Sequence, residues 1–153
     1  MGVDISAETV IRHPRDQVAA FAADPANEPV WIGGVQTAEL IDGDGPVGVG
    51  TKVRRRAKFL GRTIDYVNEI VELRPGIVLR MRAVEGPFPM RVDYAWADED
   101  GGTRMSIRVR GDTGGFFSLG GPIMAAAIKR NVAGDLKRLQ ALLEGRGSVA
   151  PPA

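Results

Sequence analysis

Residues 35–111 hold a succession of strand-like segments with no helical periodicity among them, and residues 122–144 hold one long helical pattern. That order leaves few ways to bury both apolar faces. The helix stripe has to cover something, and the apolar face of the sheet is what the chain offers. The breaks between segments fall at residues 42–50, at Gly61-Arg62, at Arg74-Pro75-Gly76, and at residues 85–88 and 98–102, which predicts six strands in this region. One more strand precedes them. In Val3–Ile11 the residues Val3, Ile5, Ala7, Thr9 and Ile11 alternate against polar neighbours, Val10 excepted. His13-Pro14 ends that strand. Arg15–Ala23 then reads as a short helix with Val18, Phe21 and Ala22 on one face, and Asp24-Pro25 starts a second short helix that carries Trp31 and stops at Gly33-Gly34.

Turn chemistry gives the expected registers. Gly61-Arg62, read as a type II′ turn, sets Phe59 opposite Ile64, Ala57 opposite Tyr66, Arg55 opposite Asn68 and Val53 opposite Ile70. The other face then pairs Lys58 with Asp65 and Arg54 with Glu69, opposite charges in both cases. A four-residue loop at residues 73–76 sets Arg80 beside Glu69. A four-residue loop at residues 98–101 pairs Tyr94 with Met105, Val92 with Ile107 and Met90 with Val109. One face is thus a lattice of Arg, Lys, Glu and Asp. The other carries Phe59, Tyr66, Met81, Val92, Tyr94, Trp96 and Ile107.

The long helix spans residues 122–144. Met124, Ile128, Val132, Leu136 (or Leu139) and Leu143 recur at helical spacing, Pro122 opens it and Gly145 follows it. The expected fold is α+β, a helix-grip: a seven-stranded curved antiparallel sheet around a long C-terminal helix, with two short helices after the first strand. Residues 1–145 read as one domain, and residues 146–153 as a disordered tail.

Composition excludes several chemistries. The chain has no cysteine, which removes disulfides, thiolate nucleophiles and thiolate metal sites. A net charge of +1 argues against dedicated nucleic-acid binding, so the basic run KVRRRAK reads as a solvated outer face. No apolar run has the length of a bilayer span and no signal peptide is visible, so a cytoplasmic protein without stable membrane insertion is expected.

Several short motifs carry little. Gly43, Gly45 and Gly48 satisfy G-x-G-x-x-G, but they precede a strand where a dinucleotide site needs them to open a helix. The acidic runs at Asp42 and Asp44, and at Asp98, Glu99 and Asp100, lack calcium-loop spacing and read as turns. Met1-Gly2 with Ser6 fits a myristoylation pattern that short sequences match by chance. His13 is the only histidine and sits at a strand end: a Ser-His-Asp triad would have to use it, a histidine-based metal site has no second histidine, and a lone turn histidine reads as solvated. No metal and no cofactor is expected.

Five stretches together resemble a known scaffold. HPRDQVAAFAADPANEPVW is similar to the opening helix pair of the Bet v 1-like, START-related superfamily, and GPVGVGTKVR to its glycine-rich entry to the third strand. NEIVELRPG resembles its E-V-x-E-x-x-P hairpin. DEDGGTRMSIRV and AAAIKRNVAGDLKRLQALLEG resemble its last hairpin and terminal helix. The resemblance covers about residues 3–145 and is nearest to bacterial polyketide cyclase/dehydrase-like (SRPBCC) proteins. It implies a deep cavity between sheet and helix for apolar or amphipathic molecules. It carries no catalytic signature, because members of this scaffold bind, carry, interact or catalyse.

The candidate ligand-binding residues are the inward ones. They include the aromatics Trp31, Phe59, Tyr66, Tyr94 and Trp96, and the methionines Met81, Met90 and Met105, which suit either an adaptable wall or an irregular core. Phe116 and Phe117 stand between glycine pairs at residues 114–115 and 120–121, as a mobile gate or a cap on the core. Arg55 and Asn68 form the expected polar anchor for a ligand carboxylate, phenolate or carbonyl. The alternative is an Arg55 that reaches the rim and pairs with a helix carboxylate or water. No inward carboxylate is expected, so an ordinary catalytic base is missing. The leading expectation is a binding or carrier protein for a hydrophobic small molecule of lipid, polyketide or aromatic type. A polyketide cyclase or dehydratase is the second, and a protein-interaction module of the chaperone co-activator type the third.

Overall fold

The computed structural model describes residues 2–41, 45–114 and 120–145. Strand β1 (Val3–Ile11) leads into α1 (Arg15–Ala23), a 3-10 turn (Pro25–Asn27) and the four-residue α2 (Glu28–Trp31). Six strands follow: β2 (Val35–Leu40), β3 (Lys52–Phe59), β4 (Arg62–Arg74), β5 (Val78–Glu85), β6 (Met90–Glu99) and β7 (Gly102–Gly111). Helix α3 (Gly121–Leu143) closes the chain. The sheet is antiparallel throughout, in the order β1-β7-β6-β5-β4-β3-β2. This is the helix-grip arrangement expected from the periodicities.

Helix α3 is anchored at its C-terminal end. Gln140 donates to the Val10 carbonyl at 2.9 Å, and the Arg12 N–H donates to Glu144 at 2.8 Å. Met124, Leu136 and Leu139 are buried against the sheet with Ile11, Val18, Trp31 and Met105. The two short helices follow from local chemistry. The Asp24 side chain accepts from the Ala26 N–H at 3.0 Å, and Pro25 needs no partner at the first position.

Three hairpin registers differ from the sequence expectation, by two residues at β3–β4 and β6–β7 and by two at Glu69 in β4–β5. Leu60 and Gly61 form the β3–β4 turn, both with positive φ (51° and 78°), as a type I′ turn requires. Arg55 therefore lies opposite Tyr66, and Arg56 opposite Asp65. Arg54 and Lys58 do not face Glu69 and Asp65. Instead Arg56 forms a forked pair with Asp65 at 2.8 and 3.2 Å, and Glu69 meets Arg82 at 3.2 Å. Arg80 pairs with Glu72, not Glu69. At β6–β7 the turn is Asp100-Gly101, again with both φ positive, so Tyr94 faces Ile107 and Trp96 faces Met105. A shift of two preserves side-chain parity, so each residue keeps its face.

The outer face is the charge lattice that the pattern implied. Arg108 forks onto Asp4, and Arg104 bridges Glu8 and Glu99. These pairs are exposed and contribute little to stability one by one. Among the described residues, no helix is long and apolar enough to cross a membrane. The tail at residues 146–153, the acidic Asp42 and Asp44, and the glycine-flanked Phe116 and Phe117 lie outside the described residues.

Candidate functional site

Between α3 and the concave face of the sheet lies a cavity of about 180 Å³. Its wall is mostly apolar: Phe59, Met81, Met90, Val92, Ile107 and Val132 contribute from strands and helix. Trp31, Tyr66 and Tyr94 line it as well. Arg55 and Asn68 are the polar residues the sequence singled out, and both line it. Two of the expected lining residues do not. Trp96 and Met105 sit further along β6 and β7, towards the 100–101 turn. Met105 is wholly buried in the core, and Trp96 borders a separate hollow under α1. On β7 the cavity is reached by Ile107 and Val109, and it stops short of Met105.

The polar end of the cavity is built around a buried ion pair. Arg55 Nε donates to Glu28 Oε1 and Nη2 to Oε2, both at 2.6 Å, and both side chains are about 95% buried or more. The expectation that no carboxylate points inward is therefore wrong. Glu28 and Trp31 stand three residues apart on α2, on one side of its single turn, and both go in. Burial disfavours charge on Arg55, but Glu28 outweighs it and holds the guanidinium pKa above its ordinary value. Arg55 thus pairs with a helix carboxylate, but inside the protein rather than at the rim.

The pair leaves capacity unused. Arg55 Nη1 is buried with no hydrogen-bond partner among the described residues, and so is Asn68 Oδ1. Asn68 and Val67 are consecutive and both buried, which an alternating strand forbids. A bulge in the β4–β5 pairing between them allows it. Around them, burial raises the Tyr94 phenol pKa, with Glu28 adding to the shift. Burial also raises that of Tyr66, partly offset by Arg55. Both phenols thus stay protonated at neutral pH.

Helix α3 brings a second carboxylate that the sequence reading missed. Asp135 lines the cavity, and its Oδ1 accepts from the Gly33 N–H at 3.0 Å and from Arg138 at 3.2 Å. Arg138 also donates to the Trp31 carbonyl at 2.8 Å, so this cluster ties α3 to the end of α2. A signal was present. Asp135 stands seven residues after Ile128 and three after Val132, on the apolar stripe itself. Glu28 offered no such signal, because a single helical turn has no periodicity to violate.

Burial raises the Asp135 pKa, against the lowering effects of Gly33 and Arg138. The folded chain therefore holds this proton to higher pH than the unfolded chain does. Its contribution to stability is full below the unfolded carboxylate pKa and is lost as pH rises through the folded value. Asp135→Asn removes that dependence. Urea midpoints measured from about pH 3.5 to 7 should show the variant gaining on wild type as pH rises. A difference constant with pH contradicts the raised pKa.

Among the described residues no group of three or more His, Cys, Asp or Glu side chains is placed to hold a metal. The family model described as "Polyketide cyclase / dehydrase and lipid transport" matches residues 2–144. No curated protein matches the sequence. Solved structures share the fold at low identity. A protein from Thermus thermophilus superposes with TM-score 0.79 at 20% identity, covering 95% of this chain and 99% of that one. A START superfamily protein from Mycobacterium smegmatis does so at 0.79 and 10%, covering 94% and 99%. The Zhui aromatase/cyclase from Streptomyces sp. R1128 does so at 0.76 and 17%, covering all of both chains.

Proposed function

The chain belongs to the polyketide cyclase / dehydrase and lipid transport family, and on that premise we propose that it binds a hydrophobic small molecule bearing an oxygen acceptor in the cavity under α3. The observation that carries this is the unused donor of Arg55 beside the unused acceptor of Asn68 in an otherwise apolar enclosure. A buried polar group without a partner costs about 1–3 kcal/mol, and a ligand oxygen that reaches it recovers part of that. The apolar wall takes the rest of the molecule. The ligand class is lipid, polyketide or aromatic.

The test is native mass spectrometry of freshly purified protein for a retained small molecule, followed by titration with anilinonaphthalenesulfonate as a probe. Ala83 lines the cavity beside Asn68 on the neighbouring strand. Ala83→Phe should weaken the probe roughly tenfold, equivalent to about 1.4 kcal/mol, with little loss of stability. Unchanged affinity in the folded variant places the probe elsewhere and removes support for this cavity as the site.

Asp135 supports a second reading, a cyclase or dehydratase acting on a poly-carbonyl chain. Both oxygens of Glu28 are taken up in the fork with Arg55. Asp135 has both its contacts on Oδ1, which leaves Oδ2 for a ligand proton, while Tyr66 and Tyr94 supply donors for a developing enolate. Under this reading Asp135→Asn keeps probe binding and abolishes turnover of a poly-carbonyl chain.

A further inference from the structure

The concave face holds a second hollow, of about 740 Å³, bounded by α1, the 3-10 turn, β2 and the turn at Pro75 and Gly76. Its wall is mainly small and apolar, with Ala19, Ala23, Ala38 and Leu40 among its residues, and Trp96 is one of them. A row of rings runs from the cavity under α3 to this hollow. Trp31 meets Tyr94 edge-on at 5.8 Å between centroids, and Tyr94 meets Trp96 edge-on at 6.1 Å. Trp31 and Tyr94 line the first space and Trp96 the second.

This row lacks the polar ties that usually fix buried tryptophans. Trp31 is fully buried and Trp96 is 4% exposed, yet Nε1 of each has no hydrogen-bond partner among the described residues. Buried indole N–H groups ordinarily find one, and leaving two unmet in adjacent rings disfavours the closed arrangement. The three rings pack in the core with Val18, Leu79 and Met105, but their contacts with one another are edge-on and apolar, and such contacts re-form in more than one rotamer.

We propose that Trp31, Tyr94 and Trp96 form a movable partition, and that an elongated chain bearing oxygen acceptors, seated at Arg55, displaces it and extends into the hollow under α1. This rests on the binding role of the cavity and adds the shape of the ligand: a long oxygenated chain rather than a compact ring. The indole N–H groups donate to its oxygens as it passes, which satisfies donors that have no partner in the closed form.

The protein has two tryptophans, so Trp31→Phe leaves Trp96 as the sole indole and Trp96→Phe leaves Trp31. Bromine quenches indole fluorescence only at contact, so ω-bromooctanoic and ω-bromohexadecanoic acids serve as a short and a long probe. The short acid should quench Trp31 and leave Trp96 unaffected, and the long acid should quench Trp96. In wild-type background, Ala38→Trp, which plugs the hollow, should weaken the long acid about tenfold and leave the short one within about twofold. Trp96 silent to the long acid while Trp31 reports its binding overturns the partition and leaves the cavity reading intact. Equal effects of the plug on both acids overturn it too. Both indoles silent to both acids overturns the cavity reading, and the partition with it.

Discussion

Arg55→Met should destabilise the protein by about 3–5 kcal/mol, because it leaves the Glu28 carboxylate buried without its counter-charge. For a chain of this size that corresponds to a fall in Tm of roughly 6–20 °C. The size of the effect comes from what remains, not from what is removed. Glu28 loses both of its 2.6 Å hydrogen bonds while its carboxylate stays buried. The double variant Glu28→Leu/Arg55→Met removes both charges and should regain most of the loss, since apolar residues of similar volume replace buried ion pairs at little net cost. The two variants also separate stability from binding. If Arg55 holds the ligand oxygen, the double variant folds well and still binds the probe weakly. A single variant as stable as wild type would show that Glu28 finds another partner or takes up a proton. A double variant as damaged as the single one would show that the pair organises α2 in a way apolar side chains cannot.

The fold was legible because its periodicities are long and clean. Alternation through β1 and β3–β7, and the stripe from Met124 to Leu143, each repeat often enough to outweigh local exceptions. Registers were not legible to the same degree, because each depends on a single turn. Gly61 invites a glycine-first turn, whereas the protein sets Leu60 in the left-handed region, a conformation disfavoured for a branched side chain. Asp100-Gly101 is the opposite case: a strong two-residue hairpin signal passed over for a longer loop. Both errors moved pairings by two residues and left the faces intact, which is why Arg55, Tyr66, Tyr94 and Met81 were still found inward. The carboxylates were lost for a different reason. Asp135 is a charged residue among the apolar members of the helix stripe, and its position on that stripe marks it as inward. Glu28 depends on how one turn of helix is tucked under a sheet, and that is tertiary information.

Met105 shows what parity alone does not decide, and it carries the other large effect. Met105→Ala should cost about 2–5 kcal/mol of stability and leave the affinity for anilinonaphthalenesulfonate unchanged. Met90, Met81 and Met105 all point inward, yet they meet different surroundings. Met90 is half-buried on the cavity wall, where part of its surface already faces empty space. Met105 is 0% exposed, with Trp96 opposite it on β6 and Thr9 opposite it on β1, and it packs in the core on both sides. Truncating it opens a void in close-packed surroundings that relax only in part, so the loss of contacts adds to the loss of burial. Truncating Met90 enlarges a space that exists already, so Met90→Ala should cost less stability and alter probe binding instead. Urea denaturation and probe titration on the two variants give the four numbers required. A Met105→Ala protein that is stable but binds differently would extend the cavity along β7 to the 100–101 turn, and the division between binding wall and core would have to be redrawn there.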